Sequence, residues 1–205
     1  CEELQVRGAL ELNEKGYIAR KKPPRGKDED TLCESCGNCL DVCPTGAIGS
    51  RIFKEEFAAQ FATAEERAQA MEELKYVKTT CPYCGVGCQL ELVVWDQKVV
   101  DVRPYNTLPN NGLLCVKGRF GYKFINHPDR LKNPLIKKDG KFVETTWDEA
   151  YELIVSKARE IKNKYGSQAF GGLSSARCTN EENYLFQKLF RVAFGTNNID
   201  HCARL

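Results

Sequence analysis

Long hydrophobic runs are missing from this sequence: nowhere do the roughly 20 consecutive apolar residues needed to span a bilayer occur, and nothing at the start resembles a signal peptide. Insertion of this chain into a membrane is therefore not expected. A charge excess is also missing, with Lys plus Arg at 30 against Asp plus Glu at 28. No net field exists to hold a polyanion, so nucleic-acid binding is not expected. Methionine is nearly absent: Met71 is the single one and the chain starts at Cys1. The amino terminus is expected upstream, where any targeting signal would lie. What remains is ordinary for a folded protein, 205 residues with 42% hydrophobic content, enough for one or two domains with a real core.

Cysteine, by contrast, is abundant. Eleven cysteines stand in tight groups rather than spread as a disulfide framework, which points to metal ligation. An odd number is tolerated in a reducing compartment, so a cytoplasmic location is expected.

Along the chain, the charged run from Arg20 through Asp30, broken by Pro23 and Pro24, reads as an exposed loop. Apolar residues at Phe57, Phe61, Ala64, Ala68, Met71 and Leu74 recur at helical spacing, which predicts an amphipathic connecting helix from Phe53 to about Lys75. Leu90 to Val102 is rich in Val and Leu, with Asp96-Gln97 as its turn, and predicts a hairpin. Thr146 followed by Glu149 is a capping box opening a helix through about Tyr165, closed by Gly166. A strand over Ala169–Leu173 and a second capping box at Thr179 and Glu182, with a helix to about Phe194, complete the start of an α/β layer.

Two cysteine groups carry the chemistry. Cys33-x2-Cys36-x2-Cys39-x3-Cys43-Pro44 is the run with which bacterial ferredoxins wrap a 4Fe–4S cubane, three thiolates on one cluster and the fourth on its neighbour. A structural zinc site uses separated pairs and has no need of three evenly spaced cysteines. By the same exchange rule Cys1 would complete the cluster of Cys33, Cys36 and Cys39, and Cys43 would serve a second cluster. The other group is Cys81-x2-Cys84-x3-Cys88-x26-Cys115, with Gly85 and Gly87 allowing close turns around a bulky ligand. Its spacing alone would also suit zinc. Cys178, Cys202, His127 and His201 fall outside these spacings; buried packing is the plainer reading for all four, with His127 in a turn before Pro128 and His201 standing where it could approach an active site.

The stretches CPYCGVGCQLELVV, GLLCVKGRFGYKFINHPDRLKNPLI and TTWDEAYELI resemble the iron–sulfur opening domain of the molybdopterin oxidoreductases, and SSARCTNEENYLFQKLFRVAFGTNNIDHCARL is similar to formate dehydrogenases within that family. Residues 1–50 separately resemble the two-cluster ferredoxin module found ahead of that domain in enzymes coupled to nicotinamide or ferredoxin partners. The resemblance implies an α+β chain: a ferredoxin-type module over residues 1–52, a connecting helix over 53–78, the family's iron–sulfur domain over 79–136, and the first elements of the molybdopterin-binding α/β domain over 137–205. It implies 4Fe–4S clusters on Cys81, Cys84, Cys88 and Cys115 as well as on the first group, and a molybdopterin guanine dinucleotide carrying molybdenum or tungsten. Lys117 would lie between cluster and pterin, and Ser174, Ser175, Arg177 and Asn180 would hold the dinucleotide.

The implied activity is oxidation of formate to carbon dioxide, with electrons leaving through the clusters to a flavin- or ferredoxin-type partner. In formate dehydrogenases the run ending Cys-Ala-Arg and an apolar residue is followed by a cysteine or selenocysteine metal ligand, so the resemblance implies that this ligand comes next after Leu205. The fragment as written would then lack activity of its own, and a UGA codon read as stop would account for the end point. Three rivals stand beside this reading: an assimilatory nitrate reductase, a non-catalytic electron-transfer subunit like the large iron–sulfur subunit of complex I, and a zinc-stabilised interaction module.

Overall fold

Asp96 and Gln97 take left-handed φ values of 45° and 59°, which is the geometry a two-residue hairpin turn demands. In the computed structural model, which describes residues 9–12, 14, 18–20 and 33–201, this turn joins β4 (Gln89–Trp95) to β5 (Lys98–Pro104). The expected hairpin is thus present. A third strand, β3 (Lys75–Thr80), pairs antiparallel with β4 and completes a meander in the order β3-β4-β5. All six residues of β3 are exposed, so no alternation of apolar and polar residues marks it in the sequence. Ahead of the meander, β1 (Leu10–Leu12) and β2 (Ile18–Arg20) form a short antiparallel ribbon. Cys1, Cys202 and the charged loop after Arg20 lie outside the described residues.

The predicted single connecting helix is instead two. α2 (Arg51–Glu56) ends at Phe57, a 3-10 turn follows over Ala58–Gln60, and α3 (Ala64–Glu72) restarts behind a complete capping box of Thr63 and Glu66. The restart changes the helical phase. Ala70 and Leu74 are buried, while Ala64, Ala68 and Met71 are exposed. The break lets Phe57, which is 0% exposed, join Val93, Val100, Ala70 and Leu74 in a core. Phe57 stacks on Phe53 at 5.0 Å and meets Phe61 and Trp95 edge-on at 5.1 and 5.5 Å. Burying side chains of this size contributes about 1.5–3 kcal/mol each. These elements, with α1 (Asn38–Val42) and α4 (Val116–Phe120), belong to a first unit of residues 1–81 and 88–126.

The second unit contains residues 82–87 and 127–205. Asp139 and Gly140, both with positive φ, turn the hairpin of β6 (Leu135–Lys138) and β7 (Lys141–Glu144), an Asp-Gly signal the sequence reading passed over. α5 (Trp147–Tyr165) begins at Thr146, whose side chain accepts from the Glu149 amide at 3.3 Å, and ends at Gly166 as expected. The reciprocal half of the box differs, because the Glu149 carboxylate accepts from the Thr145 hydroxyl. The strand expected at 169–173 lies at β8 (Gly172–Ser174), with a 3-10 turn over Ser167–Ala169. α6 (Asn180–Leu189) has the complete Thr179–Glu182 box and runs on as one π-helical turn to Phe194. It packs so closely on β8 that a Cβ on Gly172 would stand 2.7 Å from the Phe190 ring. The chain returns as β9 (Ile199–His201), parallel to β8, which makes a β-α-β unit. Among the described residues no helix is long and apolar enough to cross a membrane.

Candidate functional sites

The ferredoxin-type run lies on the first unit. Cys33 is exposed, Cys36, Cys39 and Cys43 are partly buried, and Cys39 sits on α1. α1 begins at Gly37 with a left-handed φ of 76°. The Ser35 amide donates to the Cys33 sulfur at 3.4 Å, the N–H to sulfur bond that iron–sulfur loops use to stabilise thiolate charge. Burial pushes the Cys39 thiol up, with the Cys36 charge adding to it. Cys43 is drawn down to about 7, chiefly by its contact with the Thr45 hydroxyl and then by backbone amides. A thiol so lowered is a ready thiolate ligand.

The second group is organised by backbone and by one asparagine. Cys81 is buried at the end of β3, and its amide donates to the Cys88 carbonyl at 2.8 Å, closing the loop 82–87 that carries Cys84. Gly87 takes φ 70° within that loop. Gly85 is required for a different reason: its carbonyl accepts from Asn180 Nδ2 at 2.8 Å, and a Cβ there would stand 2.7 Å from Asn180 Oδ1. Asn110 ties the neighbours of the remaining two cysteines together. Its Oδ1 accepts from the Gln89 amide at 2.7 Å, and its Nδ2 donates to the Gln89 and Leu113 carbonyls at 3.0 Å each. Cys115 is exposed at the N-cap of α4, whose Gly118 lies against Cys81 and Leu114. Lys117 is exposed on α4, two positions after Cys115.

Contacts that sequence reasoning missed join α1 to the segment 114–120 within this unit. The Leu114 amide donates to Asn38 Oδ1 at 3.1 Å, although 76 positions separate the two. Arg119, only 3% exposed, pairs with Asp41 and donates from Nη1 to the Val102 carbonyl at 3.4 Å. A Cβ on Gly37 would stand 2.3 Å from Arg119 Cδ and 2.7 Å from the Phe120 ring. Asn38 Nδ2 and Arg119 Nε are buried without a hydrogen-bond partner among the described residues.

In the second unit a cavity of about 420 Å³ opens at the carboxyl ends of β8 and β9, the place where parallel α/β sheets bind ligands. It is lined by Ser174, Ser175, Asn183, Arg191, Asp200 and His201 among others. The Ser174 hydroxyl donates to Asn183 Oδ1, and Asn183 Nδ2 donates to the Ser175 carbonyl at 3.2 Å. Arg191 Nε donates to Asn197 Oδ1 at 3.0 Å. Of the four residues expected to hold a dinucleotide, Ser174 and Ser175 line the cavity, whereas Arg177 and Asn180 do not. Cys178 is half-buried in the turn after Ser175 rather than fully packed, and His127 is exposed beside Asp129.

The donor set fits iron–sulfur clusters. Eight thiols in two groups, none in a disulfide among the described residues, are accompanied by left-handed glycines, an N–H to sulfur bond and a buried amide donor without a partner among the described residues. Among the described residues no group of three His, Cys, Asp or Glu side chains is placed to hold a metal ion.

Comparison with known proteins agrees with this assignment. The 4Fe-4S binding domain matches residues 29–49, the molybdopterin oxidoreductase Fe4S4 domain residues 74–127, and the molybdopterin oxidoreductase domain residues 130–205. The F420-dependent formate dehydrogenase subunit alpha of Methanocaldococcus jannaschii is 54% identical over 134 residues, 65% of this chain and 19% of that protein. A Staphylococcus aureus protein provisionally named a formate dehydrogenase is 37% identical, and the Bacillus subtilis oxidoreductase YjgC 35%, each across 100% of this chain and 24% of the relative. The chain thus spans a quarter or less of the length of these relatives. The matched domains imply 4Fe–4S clusters and a molybdopterin cofactor, and this chain belongs to the molybdopterin oxidoreductase family.

Proposed function

We propose that the chain supplies the iron–sulfur wiring and part of the pterin cradle of a formate dehydrogenase. The observation that carries this reading is the likeness to relatives named for that activity, one of them matched across the whole chain. In the reaction formate gives up carbon dioxide, one proton and two electrons, and a pterin-held molybdenum or tungsten supplies the two-electron acceptor when bound.

The chain's own residues hold and pass the electrons. Cys81, Cys84, Cys88 and Cys115 ligate one cubane. Cys33, Cys36 and Cys39, completed by Cys1, ligate another, and Cys43 serves a further one. Lys117, beside Cys115, places a cation at the first cubane, where it offsets the negative charge of the thiolates and offers N–H donors to the pterin. Ser174 and Ser175 present hydroxyls to the dinucleotide at the strand ends, Ser174 as an acceptor because its O–H is given to Asn183, with Arg191 providing the positive charge a phosphate needs. Asn180 donates to the Gly85 carbonyl through Nδ2, which steadies the cysteine loop, and its amide carries a second N–H that a phosphate oxygen can take. A flavin- or ferredoxin-type subunit takes the electrons.

The test is anaerobic assay of the intact protein with formate and a viologen acceptor, together with metal analysis. Formate-dependent viologen reduction with molybdenum or tungsten present supports the proposal. Nitrate reduction without formate activity would make it a nitrate reductase. Iron and sulfide without molybdenum, tungsten or either activity would leave an electron-transfer subunit.

A further inference from the structure

The two cysteine groups meet at a polar contact for which ligation alone gives no reason. Asn38 lies next to Cys39 in the chain, Leu114 lies next to Cys115, and the Leu114 amide donates to Asn38 Oδ1 at 3.1 Å. That acceptor role fixes the side-chain orientation, since only the amide oxygen can receive an N–H. Nδ2 is therefore the other end, and it is buried, in a residue 3% exposed, with no hydrogen-bond partner among the described residues. A buried donor left without an acceptor is unfavourable, so its retention beside a ligating cysteine points to an acceptor outside the described residues, and a cluster sulfur is the one that the neighbouring thiolates imply. Around Asn38 the contact is held tightly. Asp41 pairs with buried Arg119, and Gly37 leaves no room for a Cβ between α1 and the Arg119 and Phe120 side chains.

We propose that Asn38 is the bridging residue of an electron-transfer junction between the two iron–sulfur sites. Its carbonyl oxygen fixes the backbone ahead of Cys115, and its amide N–H donates to a cluster sulfur. The connection runs from Cys39 through Asn38 and one hydrogen bond to Leu114 and Cys115, with no solvent-exposed side chain required between them. One electron crosses per event, from the site of Cys81, Cys84, Cys88 and Cys115, which is oxidised, to the site of Cys33, Cys36 and Cys39, which is reduced. No bond is made or broken and no proton moves. Asn38 is a positioning residue in this step. The inference rests on the reading of both groups as cluster ligands, though not on formate as substrate.

The test is electron paramagnetic resonance of the intact protein reduced with dithionite, alongside iron and sulfide analysis. Both clusters are expected to load and to show a spin–spin interaction. In Asn38→Leu, iron and sulfide should be retained, while the interaction weakens and electron passage between the clusters slows. Asn38→Asp, which keeps an acceptor for the Leu114 amide but loses the N–H to the cluster, should load and restore passage only in part. Two loaded but magnetically isolated clusters in the wild-type protein would overturn the junction. An Asn38→Leu protein with unchanged interaction and rate would overturn the role of Asn38. Should Asn38→Leu fail to load, wild-type protein carrying asparagine labelled with 15N at the side-chain amide decides: a nitrogen coupling to a reduced cluster is expected, and its absence overturns the proposal. Absence of iron and sulfide from the wild-type protein would instead remove the cluster reading beneath it, an outcome that the metal analysis identifies separately.

Discussion

The two units of this chain solve the problem of apolar surface in opposite ways. The first closes a core: Phe57 and Val93 are 0% exposed between α2, α3 and the meander. The second leaves much of its apolar surface open, with Leu173 at 84%, Val192 at 76% and Trp147 at 59% exposure. The difference follows from sheet type. An antiparallel meander needs cover on one face only and is finished locally, whereas parallel strands such as β8 and β9 occur in sheets covered on both faces. The cluster-bearing unit is thus built as a self-supporting frame. The surface of the second unit is of the kind that an α/β layer buries against further structure.

Several substitutions would sharpen or break that contrast. Phe57→Ala should cost about 3–5 kcal/mol in denaturant unfolding, against about 0.5 kcal/mol or less for Leu185→Ala on exposed α6. Comparable losses at the two positions would show that the second unit also depends on a closed core. Gly37→Ala comes next. The left-handed φ and the approach of Arg119 and Phe120 predict a loss of about 1–3 kcal/mol, and the dithionite-reduced spectrum should change with it. Thermal unfolding that leaves Gly37→Ala at wild-type stability would contradict the tight α1 contact.

Helix starts give a smaller, symmetric comparison. Thr63→Ala and Thr179→Ala each remove one side of a complete capping box and should each cost about 1 kcal/mol. Two unfolding transitions in calorimetry, each shifted by one of the two variants, would confirm that the units melt separately. A single shared transition would show that they are coupled.

The weakest effect concerns Asp101 in the first unit, whose carboxyl burial pushes up, while the Val102 amide and the Arg103 and Arg119 charges oppose the rise. A carboxyl with a raised folded pKa binds more protons folded than unfolded. Stability therefore falls as pH rises from the ordinary carboxylate value through the raised one, and stays lower above it. Asp101→Asn should flatten that slope on the alkaline side of the ordinary carboxylate range. An unchanged slope in urea unfolding would rule out Asp101 as its source.

What could be read from the sequence was what short spacing encodes. The cysteine groups, the Asp96-Gln97 turn, the Thr179 cap and the helix from Trp147 to Tyr165 are all set within a few residues or a few turns. The break at Phe57 was misread because its apolar residues keep helical spacing across the break, although Thr63 and Glu66 signal the restart. β3 carries no alternation because its residues are exposed, and β9 is only three residues long. Asn38 was invisible for a different reason. Its contact depends on a partner 76 positions away, and no local pattern announces a buried amide of that kind.

The most direct test of the account is to add formate anaerobically to the oxidised intact protein and record the cluster spectra at low temperature. Formate alone is predicted to produce the reduced-cluster signals that dithionite produces. Clusters that respond to dithionite and stay oxidised with formate would contradict it.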